Sequence, residues 1–352
     1  MSTSCTKLLR WYDANRRVLP WRAKPGDIID PYRVWVSEVM LQQTTVATVK
    51  SYFVNFLERW PRVEDLAAAE LDDILHAWQG LGYYSRARNL HKCALEVVAK
   101  WHGKFPKLES ELQSLPGIGP YTAAAVAAIG FGQNAIPVDV NVERVISRLY
   151  AIDTPLPKGK SRIRRLAAKL VPPKRPGDFA QALMDFGAIV CRQKKPKCDF
   201  CPLKSECLGY KEGKAASLPL RQPKKPRPVR HGTVFWLERS DGAVLVRRRE
   251  ERGLLGGMME FPSTPWQETQ PDADVLSSHA PSDVHWQKLE GTVEHIFSHF
   301  RLVLDVRMAR VTTRLSDNRR WCQPANFNQL ALPAVMKKVA RHVATIMGDQ
   351  ES

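Results

Sequence analysis

The run Cys191-Arg192-Gln193-Lys194-Lys195-Pro196-Lys197-Cys198-Asp199-Phe200-Cys201-Pro202-Leu203-Lys204-Ser205-Glu206-Cys207 places four of the chain's seven cysteines within seventeen residues. The other three, Cys5, Cys93 and Cys322, lie far away in sequence. An odd count with no apolar leader argues against a disulfide framework. Four thiolates at spacings of six, two and five residues suit one soft-metal centre, and both zinc and a 4Fe–4S cubane accept four cysteine sulfurs. Zinc ribbons usually pair two short Cys-x-x-Cys knuckles, whereas this stretch has one.

Outward from the cysteines the chain is strongly basic. Arg192, Lys194, Lys195 and Lys197 belong to the same loop. Residues 156–230 hold 20 Lys and Arg against 5 Asp and Glu, an excess of 15 out of a net charge of +17. Charge focused in this way favours a polyanion, with nucleic acid the first candidate and a merely solubilising surface the alternative. With 352 residues and 44% hydrophobic content the chain can bury a core and calls for more than one domain. The longest apolar stretch, Ala123 to Ile129, is too short to span a bilayer, so a soluble intracellular protein is expected.

Upstream the chain reads as helical. Leu90, Cys93, Ala94, Val97, Val98 and Trp101 follow helical spacing, as do Val142, Val145, Ile146, Leu149 and Tyr150. Asp178 followed by Gln181 suggests a capping box, and Asp30-Pro31 an N-cap and first residue of a helix reaching about Gln43. On that helix Val34, Glu38 and Leu41 share one face. A carboxyl on an apolar face favours its protonated form, which suits a general acid near neutral pH; the alternative is a helical glutamate reaching solvent, the stronger reading from these residues alone. Leu115-Pro116-Gly117-Ile118-Gly119-Pro120-Tyr121-Thr122-Ala123 reads as a tight hairpin, its two glycines allowing close backbone approach and the next helix N-terminus suiting a phosphate. Eighteen residues after Tyr121 comes Val138-Asp139-Val140-Asn141, where Asp139 can cap a helix.

The six-two-five cysteine pattern resembles the cluster loop of the endonuclease III superfamily of DNA glycosylases. Hairpin, aspartate and cysteine loop also stand in that superfamily's order. The resemblance implies a 4Fe–4S cluster on Cys191, Cys198, Cys201 and Cys207, a helix-hairpin-helix element near residues 110–131, and Asp139 as a catalytic carboxylate. Trp21-Arg22, Ser37-Glu38-Val39-Met40-Leu41-Gln42-Gln43-Thr44 and Gly80-Leu81-Gly82-Tyr83-Tyr84-Ser85-Arg86-Ala87-Arg88 are similar to the adenine DNA glycosylases of the MutY family. That resemblance implies hydrolysis of the N-glycosidic bond of adenine opposite 8-oxoguanine or guanine in double-stranded DNA. Glu38 would be the acid and Asp139 the stabiliser of an oxocarbenium-like sugar, by the logic of paired carboxylates in glycoside hydrolysis. It also implies roles for Arg22, Tyr121 and Asn141 near the extruded adenosine, for Gln43 and Tyr83 beside the partner base, and for Gly117 and Gly119 at phosphates. Lyase-capable relatives carry a lysine at the place of Tyr121, so a monofunctional glycosylase is expected. The alternatives are an endonuclease III-like pyrimidine glycosylase and a damage-sensing DNA binder without catalysis. The chain's length is similar to that of bacterial members, and a monomer in the cytoplasm, at the nucleoid, is expected.

Residues 211–230 contain Pro219, Pro223, Pro226 and Pro228 among basic residues and read as an extended linker. Beyond them Thr233–Leu237, Ala243–Arg247, Val293–Phe297 and Leu302–Val306 read as strands and Pro333–Met347 as a helix. Gly256-Gly257-Met258-Met259-Glu260-Phe261-Pro262 resembles the start of a Nudix strand-loop, but residues 263–290 lack the Arg-Glu-x-x-Glu-Glu run that binds magnesium in Nudix hydrolases. Thr292-x-x-His295-x-Phe297-Ser298-His299 resembles the MutY loop that senses 8-oxoguanine, implying contacts from Phe297, Ser298 and His299. The expected organisation is a mainly α helix-hairpin-helix glycosylase domain over 1–210 carrying the cluster loop 191–207, a linker over 211–230, a smaller α+β Nudix-like recognition domain over 231–347, and a tail over 348–352.

Overall fold

The structure, a computed structural model, describes residues 3–24, 26–223, 226–250, 253–312 and 320–350. Lys224 and Lys225 of the expected linker, and residues 351–352 of the expected tail, lie outside the described residues. The chain divides into two compact units: residues 1–77 with 86–223, and residues 78–85 with 224–352.

The first unit is helical. Its elements are α1 (Thr3–Asn15), α2 (Pro31–Leu41), α3 (Val46–Arg59), α4 (Val63–Ala67), α5 (Leu71–Ala77) and α6 (Ser85–Trp101). They continue with α7 (Glu109–Gln113), α8 (Pro120–Ala125), α9 (Val140–Leu149), α10 (Lys160–Ala168), α11 (Pro176–Ile189) and α12 (Leu208–Lys211). Val126–Gly130 prolongs α8 as a π-helical turn. One core gathers Leu8 and Tyr12 of α1, Val142 and Ile146 of α9, Ile163 of α10, and Phe179 and Phe186 of α11 around Leu203 of the cysteine loop.

The hairpin between α7 and α8 turns at Gly117, whose φ of +75° is open to glycine and strained for other residues. A Cβ there would stand 2.6 Å from the Asn89 Cβ, so packing against α6 excludes any side chain as well. Gly117 and Gly119 are both exposed.

The second unit is a mixed sheet with helices. It comprises β1 (Val229–Arg239), β2 (Val244–Arg248), β3 (Met259–Glu260), α13 (Ala273–His279), β4 (Gln287–Lys288), β5 (Val293–Ile296), β6 (Arg301–Val311), β7 (Arg320–Cys322) and α14 (Ala334–Gln350). The strand order is β3-β2-β1-β6-β4, with β5 also on β6 and β7 also on β2. At its centre β1 and β6 run parallel from Val229 opposite Arg301 to Arg239 opposite Val311. Val335, Met336, Val339 and Val343 on α14 join Val234, Leu302, Leu304 and Val306 in the core.

Three sequence expectations are corrected. The helix expected to start at Asp178 starts two residues earlier at Pro176, with Arg175 before it. Asp178 therefore sits in the first turn, where it accepts from Arg175 Nε at 2.7 Å rather than capping. The first half of the expected linker is packed: Ala215 and Leu218 are buried, and Leu156 N–H donates to Leu220 O at 2.8 Å. Proline and charge spoke for an extended chain, yet two apolar residues sufficed to seat it on the helical core. Residues 78–85 group with the second unit because Gln79 Nε2 donates to Leu330 O at 2.9 Å and the Tyr83 hydroxyl bonds the Ser298 hydroxyl at 2.8 Å.

Candidate active site

Glu38 owes its surroundings to α2. Asp30 caps the helix by accepting from Tyr32 N–H at 2.9 Å, and Pro31 supplies the first turn. Tyr32, Val34, Trp35, Val36, Val39 and Met40 are buried, and Glu38 itself is only 6% exposed. The helix's C-terminal carbonyls meet Arg86, whose Nη1 donates to Val39 O at 2.8 Å and Met40 O at 2.9 Å. The Tyr121 hydroxyl donates to Glu38 Oε2 at 2.8 Å. Burial pushes the Glu38 carboxyl up, the Tyr121 donor opposes it, the charge of Asp139 adds to it and Arg22 opposes it. The balance is about 7.

Asp139 caps α9. Its Oδ1 accepts from the amides of Asn141 at 2.9 Å and Val142 at 2.8 Å, and its Oδ2 accepts from Asn141 Nδ2 at 2.7 Å. Burial raises its pKa, and these hydrogen bonds together with Arg144 hold the rise back without cancelling it. The Asn141 carboxamide also accepts from Arg144 Nη2 at 2.8 Å. Arg144 in turn donates to Gly187 O at 2.6 Å and to Cys191 O at 2.7 Å. An unbroken run of side-chain hydrogen bonds thus joins Asp139 to the backbone of the first cysteine.

Glu38, Tyr121, Asp139, Asn141, Arg22 and Gln43 all line one cleft of about 900 Å³ in the helical unit. Arg22 is fastened to the fully buried Asp185 by Nη1 at 2.5 Å and Nη2 at 2.9 Å, and Arg17 Nε reaches the same carboxylate at 2.5 Å. Burial alone would raise Asp185, but the two guanidinium groups win and hold it below the usual carboxylate range. Gln43 is exposed at the cleft with φ +56°. Tyr83, in the second unit, is 49% exposed with φ +47°. Non-glycine residues in this region are uncommon, and the same backbone recurs at His102, Ala151, Arg175, Lys195 and Leu255.

Three residues of the site escaped the sequence reading. Arg86 lies inside the quoted Gly80–Arg88 run, yet its target carbonyls are more than forty positions away. Arg144 stands three residues after Asn141, a helical spacing that was available as a signal. Nothing local in sequence marks Asp185 as the anchor of Arg22.

The four cysteines of the 191–207 loop line a second, smaller pocket together with Arg148, Val190, Pro196, Lys197 and Tyr210. Arg148, 2% exposed, donates from Nη1 to Cys191 Sγ at 3.4 Å and Arg192 O at 2.7 Å, and from Nη2 to Gln193 O at 3.1 Å. Burial and the neighbouring thiols push Cys201 up to about 12, and Cys198 and Cys207 also rise. Burial therefore opposes free thiolates here, and a cation among the four sulfurs would favour their ionisation. Among the described residues no group of three Cys, His, Asp or Glu side chains is arranged to hold a single metal ion.

In the second unit Phe297 N–H donates to Phe300 O at 2.9 Å, closing a hairpin with exposed Ser298 and His299 at its tip. The flanking Phe297 and Phe300 rings stack at 4.9 Å, and Phe297 meets Trp266 at 5.7 Å. The stack ends in cations, with Arg249 4.9 Å from the Trp266 ring and Arg230 4.6 Å from the Phe300 ring. Arg249 is anchored by the buried Glu260, which also takes Arg247 Nε at 2.8 Å. A Cβ on Gly232 would stand 2.8 Å from Trp266 Cδ1, so the glycine is what lets that ring lie against β1.

Comparison with known proteins places these arrangements. Residues 36–173 match the HhH-GPD superfamily of base excision DNA repair proteins, and residues 233–342 match the NUDIX domain. The chain is 34% identical to the human adenine DNA glycosylase, spanning 98% of this chain and 76% of that protein. It belongs to the adenine DNA glycosylase family. An adenine DNA glycosylase of Buchnera aphidicola is 31% identical over 94% of both chains. Among solved structures, a thermostable thymine-DNA glycosylase superposes at a TM-score of 0.54 with 32% identity, over 59% of this chain and 95% of that one. A non-covalent endonuclease III–DNA complex superposes at 0.50 with 25% identity, over 60% and 94%. The protein is thus a base-excision DNA glycosylase of the helix-hairpin-helix fold with a Nudix-like second domain. Among the described residues no helix is long and apolar enough to cross a membrane.

Proposed function

We propose that the cleft holding Glu38 and Asp139 hydrolyses the N-glycosidic bond of adenine opposite 8-oxoguanine or guanine. The observation that carries this reading is the pairing of a buried carboxyl near pKa 7 with a capped carboxylate in one cleft. Adenine drawn out of the stack reaches such a recess. Tyr121 donates to Oε2 of Glu38, which leaves Oε1 to carry the proton to adenine N7. The C1′–N9 bond breaks with its electron pair on the base. Asp139, its charge held by three hydrogen bonds at the head of α9, stabilises the cationic sugar. Water adds to C1′ and its proton returns to the Glu38 carboxylate. Tyr121 has no amine, so the product is an abasic site and not a Schiff base.

The donor set at Cys191, Cys198, Cys201 and Cys207 fits a 4Fe–4S cluster. Its four thiols line one pocket, and the buried Arg148 approaches Cys191 Sγ as a donor to a bound sulfur. Such a cluster supplies a rigid knot for the loop bearing Arg192, Lys194, Lys195 and Lys197, all exposed and free to meet phosphates. Gly117 and Gly119 offer backbone amides to the same strand. Gln43 and Tyr83 insert beside the partner base, and the Phe297–His299 hairpin reads its oxidised edge. The setting is bacterial DNA in the cytoplasm.

The test incubates the protein with duplexes carrying adenine opposite 8-oxoguanine, adenine opposite guanine, or thymine glycol, followed by alkali. Adenine release from the first two, with strand breaks only after alkali, is expected. Absence of release from the first duplex overturns the reading.

A further inference from the structure

A dense run of positive charge in the helical unit lies on α10, Lys160-Ser161-Arg162-Ile163-Arg164-Arg165-Leu166-Ala167-Ala168, and the excision chemistry leaves it without a task. Ile163 and Ala167 are fully buried, which fixes the rotation of the helix on the core. Lys160, Arg162, Arg164 and Arg165 are exposed. Lys160 and Arg164, one turn apart on the same face, line the cleft that holds Glu38 and Asp139, whereas Arg162 and Arg165 do not.

The charges along that cleft are not balanced evenly. Glu38, Asp139 and Glu143 put three carboxyl groups on its wall. Of its cations, Arg17 and Arg22 are committed to Asp185. Lys160 Nζ pairs with Glu143 Oε1 at 3.1 Å, and Glu143 is 5% exposed, one turn beyond Asp139 on α9. Arg164 makes no hydrogen bond or ion pair among the described residues. A DNA strand entering the cleft brings phosphates towards three carboxyl groups, and extrusion of a nucleotide turns the flanking phosphates inwards. A guanidinium fork matches two phosphate oxygens, and an ammonium adds a point charge.

We propose that Lys160 and Arg164 form a clamp for the phosphodiester beside the extruded nucleotide, with Glu143 as a positioning residue that pins Lys160 towards it. The clamp acts in the reaction by holding the strand while the base is out of the stack. It rests on the reading of this cleft as the excision site.

The test uses the full-length, cluster-loaded protein and a duplex with adenine opposite 8-oxoguanine. Binding is measured across a salt series in an Asp139→Asn background, and single-turnover excision at saturating enzyme in the otherwise native protein. Arg164→Ala and Lys160→Ala are each expected to flatten the slope of log affinity against log salt by about 1. Each is also expected to slow saturating excision by about threefold or more, because extrusion is supported by the clamp. Arg164→Lys should keep the slope. Glu143→Gln should keep the slope and slow excision, since Lys160 retains its charge and loses its fixed position. Arg162→Ala and Arg165→Ala should leave saturating excision unchanged. The clamp is overturned if Arg164→Ala and Lys160→Ala match Arg162→Ala and Arg165→Ala in both measurements. Failure of the cleft reading looks different, because Asp139→Asn would then still excise adenine.

Discussion

The hydroxyl of Tyr121 donates a 2.8 Å hydrogen bond to Oε2 of Glu38, and this bond favours the ionised carboxylate. With Glu38 as the proposed acid, excision uses the protonated form, so its rate should fall as pH rises through about 7. Tyr121→Phe removes the donor and lets burial act unopposed by it. The alkaline limb of the single-turnover pH profile should then move to higher pH while the plateau rate falls. A limb that stays in place or moves down speaks against the assignment of Glu38 as the acid.

Glu38→Gln and Asp139→Asn should each keep duplex affinity and lose about 10²–10⁴-fold in excision rate. Glu38→Gln carries a second, independent signature. The folded pKa of Glu38 is raised above its unfolded value, so its contribution to stability is intact below the unfolded value and is lost as pH rises through about 7. At pH 8 the glutamine variant should be more stable by about 3 kcal/mol, an order-of-magnitude figure. At pH 4 the two should converge. Urea titrations at both pH values decide it.

Arg144→Ala removes the link from Asn141 to the carbonyls of Gly187 and Cys191. Unpaired buried carbonyls cost about 1–3 kcal/mol each, so thermal stability should drop. Asn141 also loses the partner that orients its carboxamide towards Asp139. Excision should fall even where iron content per chain, measured by absorbance and metal analysis, stays native. Native turnover with native iron would show that the run of hydrogen bonds has no part in catalysis.

Trp266→Ala empties the centre of the stack that supports Phe297 and Phe300. Aromatic pairs contribute about 0.5–1.5 kcal/mol each, so the hairpin tip should lose definition. The ratio of excision opposite 8-oxoguanine to excision opposite guanine should fall by about threefold to tenfold, the rate equivalent of that energy. Trp266→Phe should restore most of it. Ser298→Ala tests the tip directly, and an unchanged ratio in that variant would remove the hairpin from lesion reading altogether.

Much of this was legible in sequence because it is local. Helix periodicity, the Asp30-Pro31 start of α2 and the strand runs of the second unit express contacts within a few residues or the two-fold alternation of a strand. The face that Glu38 shares with Val34 and Leu41 was legible, whereas its burial was not, because a glutamate on such a face can equally reach solvent. Pairings across the fold were not legible. Asp185 meets Arg22 from 163 positions away, and Arg86 meets Met40 from 46. Charge composition likewise gave the excess around α10 without saying that Lys160 and Arg164 face the cleft and Arg162 does not; that division depends on how Ile163 and Ala167 seat the helix. The packed first half of the proline-rich connection was hidden because proline and lysine dominate its composition while Ala215 and Leu218 decide its contacts.

The left-handed backbone at Gln43 and Tyr83 bears on stability as well. Glycine adopts that conformation without steric cost, so a chain selected for stability alone would drift towards glycine at both positions. Two large side chains stand there instead. If Gln43 and Tyr83 act as proposed, the strain is what the protein gives up in robustness to keep an amide and a phenol at those two points, and a version thermostabilised by relaxing them would fold more easily and read DNA less well.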